Sequence, residues 1–151
     1  MQLAHEYDVP SPRVLYRLRP EDELGSGFIM HRIEGETIPR KILRDSRFAQ
    51  VRPKLARQLG GILAEIHDLP LAQLPELRRV TAALEVAELE RDIRAFDQAR
   101  PVFELALRWL RDHDPGPSDR VTLVHGDFRH GNLIIGRDGV NAVLDLSLIH
   151  I

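Results

Sequence analysis

The chain has 151 residues, no cysteine and a formal net charge of −2. That length is ordinarily one domain with a sizeable core, and a near-neutral chain without a basic stripe argues against a nucleic-acid partner. The missing cysteines exclude disulfides and fit a reducing compartment. The N-terminus is not signal-like and no apolar run is long enough to span a bilayer, so the expectation is a cytoplasmic protein with no membrane partner.

Pro10 and Pro12 lead into Val14-Leu15-Tyr16-Arg17-Leu18, a strand-like run. A polar, glycine-containing turn over residues 21–26 joins it to a second strand over residues 28–33, which predicts a β-hairpin. From Ser46 the period becomes helical. Val51, Leu55, Leu59, Ile62, Leu63 and Ile66 fall on one face, with Pro53 early enough to be tolerated. Two more helices are expected over residues 82–99 and 101–112. The first carries a solvated face of Glu85, Glu88, Glu90, Arg91 and Asp92, and Phe103 and Trp109 of the second read as core. Pro115-Gly116-Pro117 breaks the chain, after which Val121, Leu123 and Val124 predict a short strand. Leu133-Ile134-Ile135 and Ala142-Val143-Leu144 predict two more strands around an Arg137-Asp138-Gly139 turn. Strands, then helices, then a strand-loop-strand unit make an α+β arrangement.

The densest chemistry lies between those last strands. His125-Gly126-Asp127-Phe128-Arg129-His130-Gly131-Asn132 is followed, beyond a hairpin, by Asp145. Asp127 can accept the proton of an attacking hydroxyl. The Asn132 amide oxygen and the Asp145 carboxylate are the hard oxygen ligands that magnesium takes on nucleotide phosphates. A hairpin returns its two ends to one place, so residues 132 and 145 can share an ion. A metal site made of His125, Asp127 and His130 is the competing reading. Zinc sites usually hold more nitrogen or sulfur ligands at closed spacings, so His125 reads better as a buttress of the loop. His67, at the end of an apolar helix, reads as a packed or capping residue.

H-G-D-F-R-x-G-N followed by A-V-L-D resembles the aminoglycoside phosphotransferase and choline kinase superfamily, the small-molecule relatives of protein kinases. Protein kinases keep the same spacing in H-R-D-x-x-x-x-N, with Arg where this chain has Gly126. The arginine form of the loop is most similar to the kinase-like domain fused to some acyl-CoA dehydrogenases. G-F-I-M-H-R-I-E-G at residues 27–35 resembles the family's last N-lobe strand and hinge, and L-A-E-I-H at residues 63–67 its core helix. The resemblance covers residues 9–145. It implies one partial protein-kinase-like domain over residues 1–151: N-lobe strands and hinge at 1–35, C-lobe core at 36–145, and an atypical tail at 146–151. It also implies ATP and Mg2+ as cofactors, and a nucleotide and a small hydroxylated acceptor as partners. The acceptor classes are an aminoglycoside, a choline-like amine, a sugar or a hydroxyacyl-CoA.

Carried over by position, Asp127 is the catalytic base, and Asn132 and Asp145 are the metal ligands. Met30 lines the nucleotide pocket, while the His31 carbonyl and Ile33 amide meet the adenine edge. Arg129 stands where protein kinases often carry a phosphate-contacting lysine, and a guanidinium suits that task; the other reading is a surface arginine paired with Asp138 or a similar carboxylate.

The family's glycine loop and phosphate-pairing lysine precede the V-P-S-P stretch at residues 9–12, whereas Lys41 and Lys54 both follow the hinge. After the metal aspartate the family continues with an aromatic residue or glycine and then acceptor-site helices, but here Leu146 follows. The chain therefore reads as the middle of a larger kinase, expected to be inactive and poorly stable alone. A non-catalytic binding or regulatory module on the same fold is the alternative. Nothing in the sequence sets an oligomeric state.

Overall fold

A computed structural model describes all residues except 97, 99, 119 and 147–151. The described residues divide into two compact units, one formed by residues 1–77 and 122–146, the other by residues 78–121. The larger unit holds an α+β assembly of two hairpins and three helices.

It opens with a short helix, α1 (Gln2–Glu6), too brief to show a period in sequence. Strands β1 (Val14–Arg17) and β2 (Phe28–Met30) then pair antiparallel, with a bulge between Val14 and Tyr16. Their turn is fixed by Asp22, whose carboxylate accepts from the Arg19 amide at 2.7 Å and the Tyr16 hydroxyl at 2.9 Å. The hairpin forms as expected, but β2 stops at Met30 instead of Ile33. His31 still donates to the Arg13 carbonyl at 2.9 Å. The next partner along would be Pro12, which has no N–H to extend the ladder.

Helix α2 (Pro39–Arg44) was not expected either. Proline in its first turn presets the helical φ, and its one buried residue is Ile42. Asp45 then caps a single 3-10 turn, Ser46–Phe48, and the main helix α3 follows over Arg52–His67. The break between them is held by Arg52, whose guanidinium donates to the carbonyls of Ile42 at 3.2 Å and Asp45 at 2.9 Å. The expected apolar stripe is the buried one: Val51, Leu55, Ile62 and Ile66 are buried, with Leu59 and Leu63 half-buried.

Strands β3 (Leu133–Ile135) and β4 (Val140–Val143) form the second antiparallel hairpin. Strand β3 is buried throughout and β4 at Ala142 and Val143, and the hairpin is tied on two sides. The Gln58 side chain of α3 accepts from the Val140 amide at 3.3 Å, and Glu36 exchanges both backbone bonds with Ile135 at 2.9 Å each. Close approach at that bridge needs a glycine. Gly35 has φ +153°, and a Cβ there would stand 2.4 Å from Ile134 Cγ2 and 2.9 Å from the Ile135 carbonyl oxygen. The strand expected at Val121–Val124 does not form: residues 121–123 are irregular and Val124 has only isolated-bridge geometry. Leu123 is nevertheless fully buried. Of that apolar run only Leu123 is buried, and the outer edge of β3 is bonded at Ile135 by Glu36.

The smaller unit contains α4 (Ala82–Ala95), capped by Thr81 accepting from the Leu84 amide at 3.2 Å, and α5 (Pro101–Asp112). Helix α4 ends at Ala95, with residues 97 and 99 of the longer expected helix outside the described residues. Of its glutamates Glu85 is exposed and Glu88 and Glu90 are half-buried, and all are engaged, since Glu90 pairs with Arg94 and Arg111, and Arg78 with Glu85 and Glu88. Phe103 and Trp109 are not core: they are 39% and 57% exposed, while Leu107 is buried. Two residues beyond Leu107 the helix has turned through more than half a circle, so Trp109 faces away from the buried side and stacks on His113 at 4.3 Å.

Candidate active site

The loop from His125 to Asn132 is hung from strand β4 by a histidine. His125 is buried, and its Nε2 donates to the Leu144 carbonyl at 2.9 Å while its Nδ1 accepts from the Asp127 amide at 3.3 Å. The partners fix the tautomer: a carbonyl can only accept and an amide N–H can only donate, so the ring is neutral with its proton on Nε2. Phe128 packs edge-on against the ring, with centroids 5.5 Å apart. Gly126 takes the left-handed conformation at φ +78°, which folds the Asp127 amide back beneath the imidazole. Both ring nitrogens of His125 are thus committed to backbone. Among the described residues no group of three or more His, Cys, Asp or Glu is arranged to hold a metal, so the His125–Asp127–His130 reading has no geometric support.

Asp127 is oriented by its neighbours. Asn132 Nδ2 donates to the Asp127 backbone carbonyl and to Asp127 Oδ2, both at 2.9 Å. Both partners are acceptors only, so the nitrogen of the Asn132 amide must face Asp127 and the Oδ1 must face the other way. Arg129 Nε donates to Asp127 Oδ1 at 3.1 Å and Oδ2 at 2.9 Å. Of the two roles the sequence left open for Arg129, an ion pair with a carboxylate is the one formed, but the carboxylate is Asp127 and not Asp138. The sequence signal was present as an acid and a base two residues apart in a loop, where such neighbours commonly meet.

Asp145 follows the end of the second hairpin. The Leu144 amide donates to the Asn132 carbonyl at 2.8 Å, extending the ladder one step beyond β3 and β4 and setting the residue after Leu144 beside Asn132. Asp145 itself is left-handed at φ +58°, a conformation that Asp tolerates better than most residues. It lines a cavity of about 620 Å³ together with Val14, Arg17, Phe28 and Met30 of the first hairpin. Met30 therefore shares a cavity with Asp145, while His31 and Ile33 lie on the irregular stretch just beyond it and do not line it. Residues 147–151, most of the tail read as atypical, lie outside the described residues. No described helix is long and apolar enough to cross a membrane.

Asn132 and Asp145 carry oxygen donors of the type a hard divalent cation takes. Asn132 Oδ1 is turned away from Asp127, the Asp145 carboxylate follows the residue bonded to the Asn132 backbone, and both are oxygen ligands.

The sequence profile of the phosphotransferase enzyme family, APH, matches residues 1–151, the whole chain. The chain belongs to this phosphotransferase family. The fold agrees with that of a solved protein from Ralstonia eutropha JMP134 assigned provisionally to the aminoglycoside phosphotransferases, with a TM-score of 0.78 at 21% identity. The match covers 98% of this phosphotransferase-family chain and 47% of the solved one, so the chain spans about half the length of that relative. At that identity the likeness establishes the partial kinase-like fold alone. Among curated proteins none matches the chain.

Proposed function

We propose that the chain carries the catalytic half of an ATP-dependent kinase that moves the γ-phosphoryl group to a hydroxyl of a small molecule. The observation that carries this reading is the bonding around Asp127. Asn132 Nδ2 fixes the Asp127 carboxylate and so turns the Asn132 oxygen away from it, and Asp145 follows the residue whose amide bonds the Asn132 carbonyl, which supports a metal shared by the two.

In this reading Asp127 orients the acceptor hydroxyl and takes its proton as the oxygen attacks phosphorus. Asn132 Oδ1 and the Asp145 carboxylate hold magnesium, which when bound offsets charge on the phosphates. Met30, with the apolar residues Val14 and Phe28, supplies the wall for the base of the nucleotide. The His31 carbonyl and Ile33 amide follow on the same stretch as the hinge contacts. His125 holds the loop at the distance from β4 that lets Asp127 and Asp145 face one nucleotide.

The test is Asp127→Asn in the kinase of which this chain forms the catalytic half. The amide cannot take the proton, so phosphoryl transfer falls on the order of 10²–10⁴-fold. ATP binding, followed by a fluorescent analogue, stays within about twofold, because the base does not hold the nucleotide. Transfer within a few-fold of wild type would remove Asp127 from the chemistry and favour a non-catalytic binding module.

A further inference from the structure

Arg129 is placed to do more than neutralise its neighbour. Its Nε is taken up by Asp127. Among the described residues its Nη1 and Nη2 make no hydrogen bond, and the side chain is 66% exposed. The guanidinium lies over Gly131, where a Cβ would stand 2.5 Å from Nη1, so the chain leaves room for it in this position. With Nε engaged and the side chain mostly exposed, the Nη1–Nη2 edge keeps two parallel N–H donors in a rigid plane, the fork that matches a carboxylate.

An acceptor hydroxyl must come within hydrogen-bonding distance of the Asp127 carboxylate to lose its proton. It therefore arrives beside that edge. A lone Asp127 would attract an amine-bearing acceptor, but a fixed guanidinium on the same carboxylate cancels the attraction and repels a second cation at close range. Resting on the kinase reading above, we propose that Arg129 is a specificity determinant, selecting acceptors with a carboxylate close to the phosphorylated hydroxyl and disfavouring cationic acceptors. This role differs from a γ-phosphate contact, which would act on every acceptor alike.

The test uses the 151-residue chain and NMR. The Arg129 Nε–Hε signal is assigned by its disappearance in Arg129→Gln. The chain is then titrated separately with 4-hydroxybutyrate, 1,4-butanediol and choline. The hydroxy acid should shift the Arg129 Nε–Hε signal and the Asp127 amide saturably, with the diol and choline giving little response. Arg129→Gln should weaken acid binding about tenfold, the loss of one charge-assisted fork contact. Arg129→Lys, which keeps charge but not the fork, should fall between. Choline or the diol binding as well as the acid, or acid binding unchanged in Arg129→Gln, overturns the proposal. A parallel titration with Mg2+ and a non-hydrolysable ATP analogue separates the two readings. Shifts at Asn132 and Asp145 without any acid response leave the kinase and remove the filter, whereas silence in both titrations removes both.

Discussion

His125→Phe tests how the catalytic loop is held. Phenylalanine keeps a ring of similar size in the buried slot and preserves the edge contact with Phe128, so little cavity is created. What it removes are two hydrogen bonds, to the Leu144 carbonyl at 2.9 Å and from the Asp127 amide at 3.3 Å. A buried polar group left without a partner costs about 1–3 kcal/mol. The Leu144 carbonyl should bear most of that, while the half-buried Asp127 amide recovers part of its loss from water, for a total of about 2–3 kcal/mol. Urea unfolding at neutral pH reads this directly, as a fall in midpoint of about 1–2 M at unchanged slope. Amide resonances of Asp127 and Asn132 should shift in the variant under native conditions, because the loop loses its tether to β4. A stability change below about 0.5 kcal/mol would refute the reasoning, since that is the range of an ordinary surface substitution.

Three further outcomes are expected. Gly35→Ala should destabilise the larger unit by about 1–3 kcal/mol, because the new Cβ meets Ile134 and the Ile135 carbonyl at a left-handed φ; thermal melting checks it. Thr81→Ala should cost about 0.5–2 kcal/mol of helix α4 through loss of the cap to the Leu84 amide, read by hydrogen exchange in the first turn of that helix. Glu36 is held below the usual glutamate range by the Ile38 amide first and by Lys41. Its contribution is therefore complete above the ordinary value of about 4.3, and is lost as pH falls through the lower folded value. Glu36→Gln should flatten that acid limb in unfolding curves recorded from neutral pH downward, and an unchanged limb would exclude the assignment.

Much of this architecture was legible in the sequence because single physical patterns fixed it. The stripe from Val51 to Ile66 has one period and one buried face, so α3 could be drawn in advance. The two hairpins followed from short apolar runs around polar turns. What could not be read was set by partners distant in sequence. Helix α2 depends on Pro39 rather than on a period, and it is too short to show one. The strand expected at Val121–Val124 needed a neighbour with unpaired backbone, but the outer edge of β3 is bonded at Ile135 by Glu36 and that of β4 at Val143 by Pro10. Trp109 reads as core because aromatic residues on an amphipathic helix usually are, but only the contact with α4 decides which side of α5 is buried.

At the site, residue types and spacing named Asp127, Asn132 and Asp145, because oxygen ligands and a base at those offsets suit few other tasks. Their orientation was not readable. The Asn132 amide could have faced either way until both of its partners proved to be acceptors, and Arg129 had several carboxylates within reach of its loop.

The central claim is that Asn132 and Asp145 hold one metal ion beside Asp127, and Mn2+ tests it most directly. Manganese takes the same octahedral oxygen ligands as magnesium, and its unpaired electrons broaden nearby resonances. Added at substoichiometric concentration to the nucleotide-saturated chain, it should selectively broaden the amide signals of Asp127, Asn132 and Asp145, and Asp145→Asn should abolish the effect while the remaining spectrum is unchanged. Broadening centred elsewhere, or persisting undiminished in Asp145→Asn, would contradict the account.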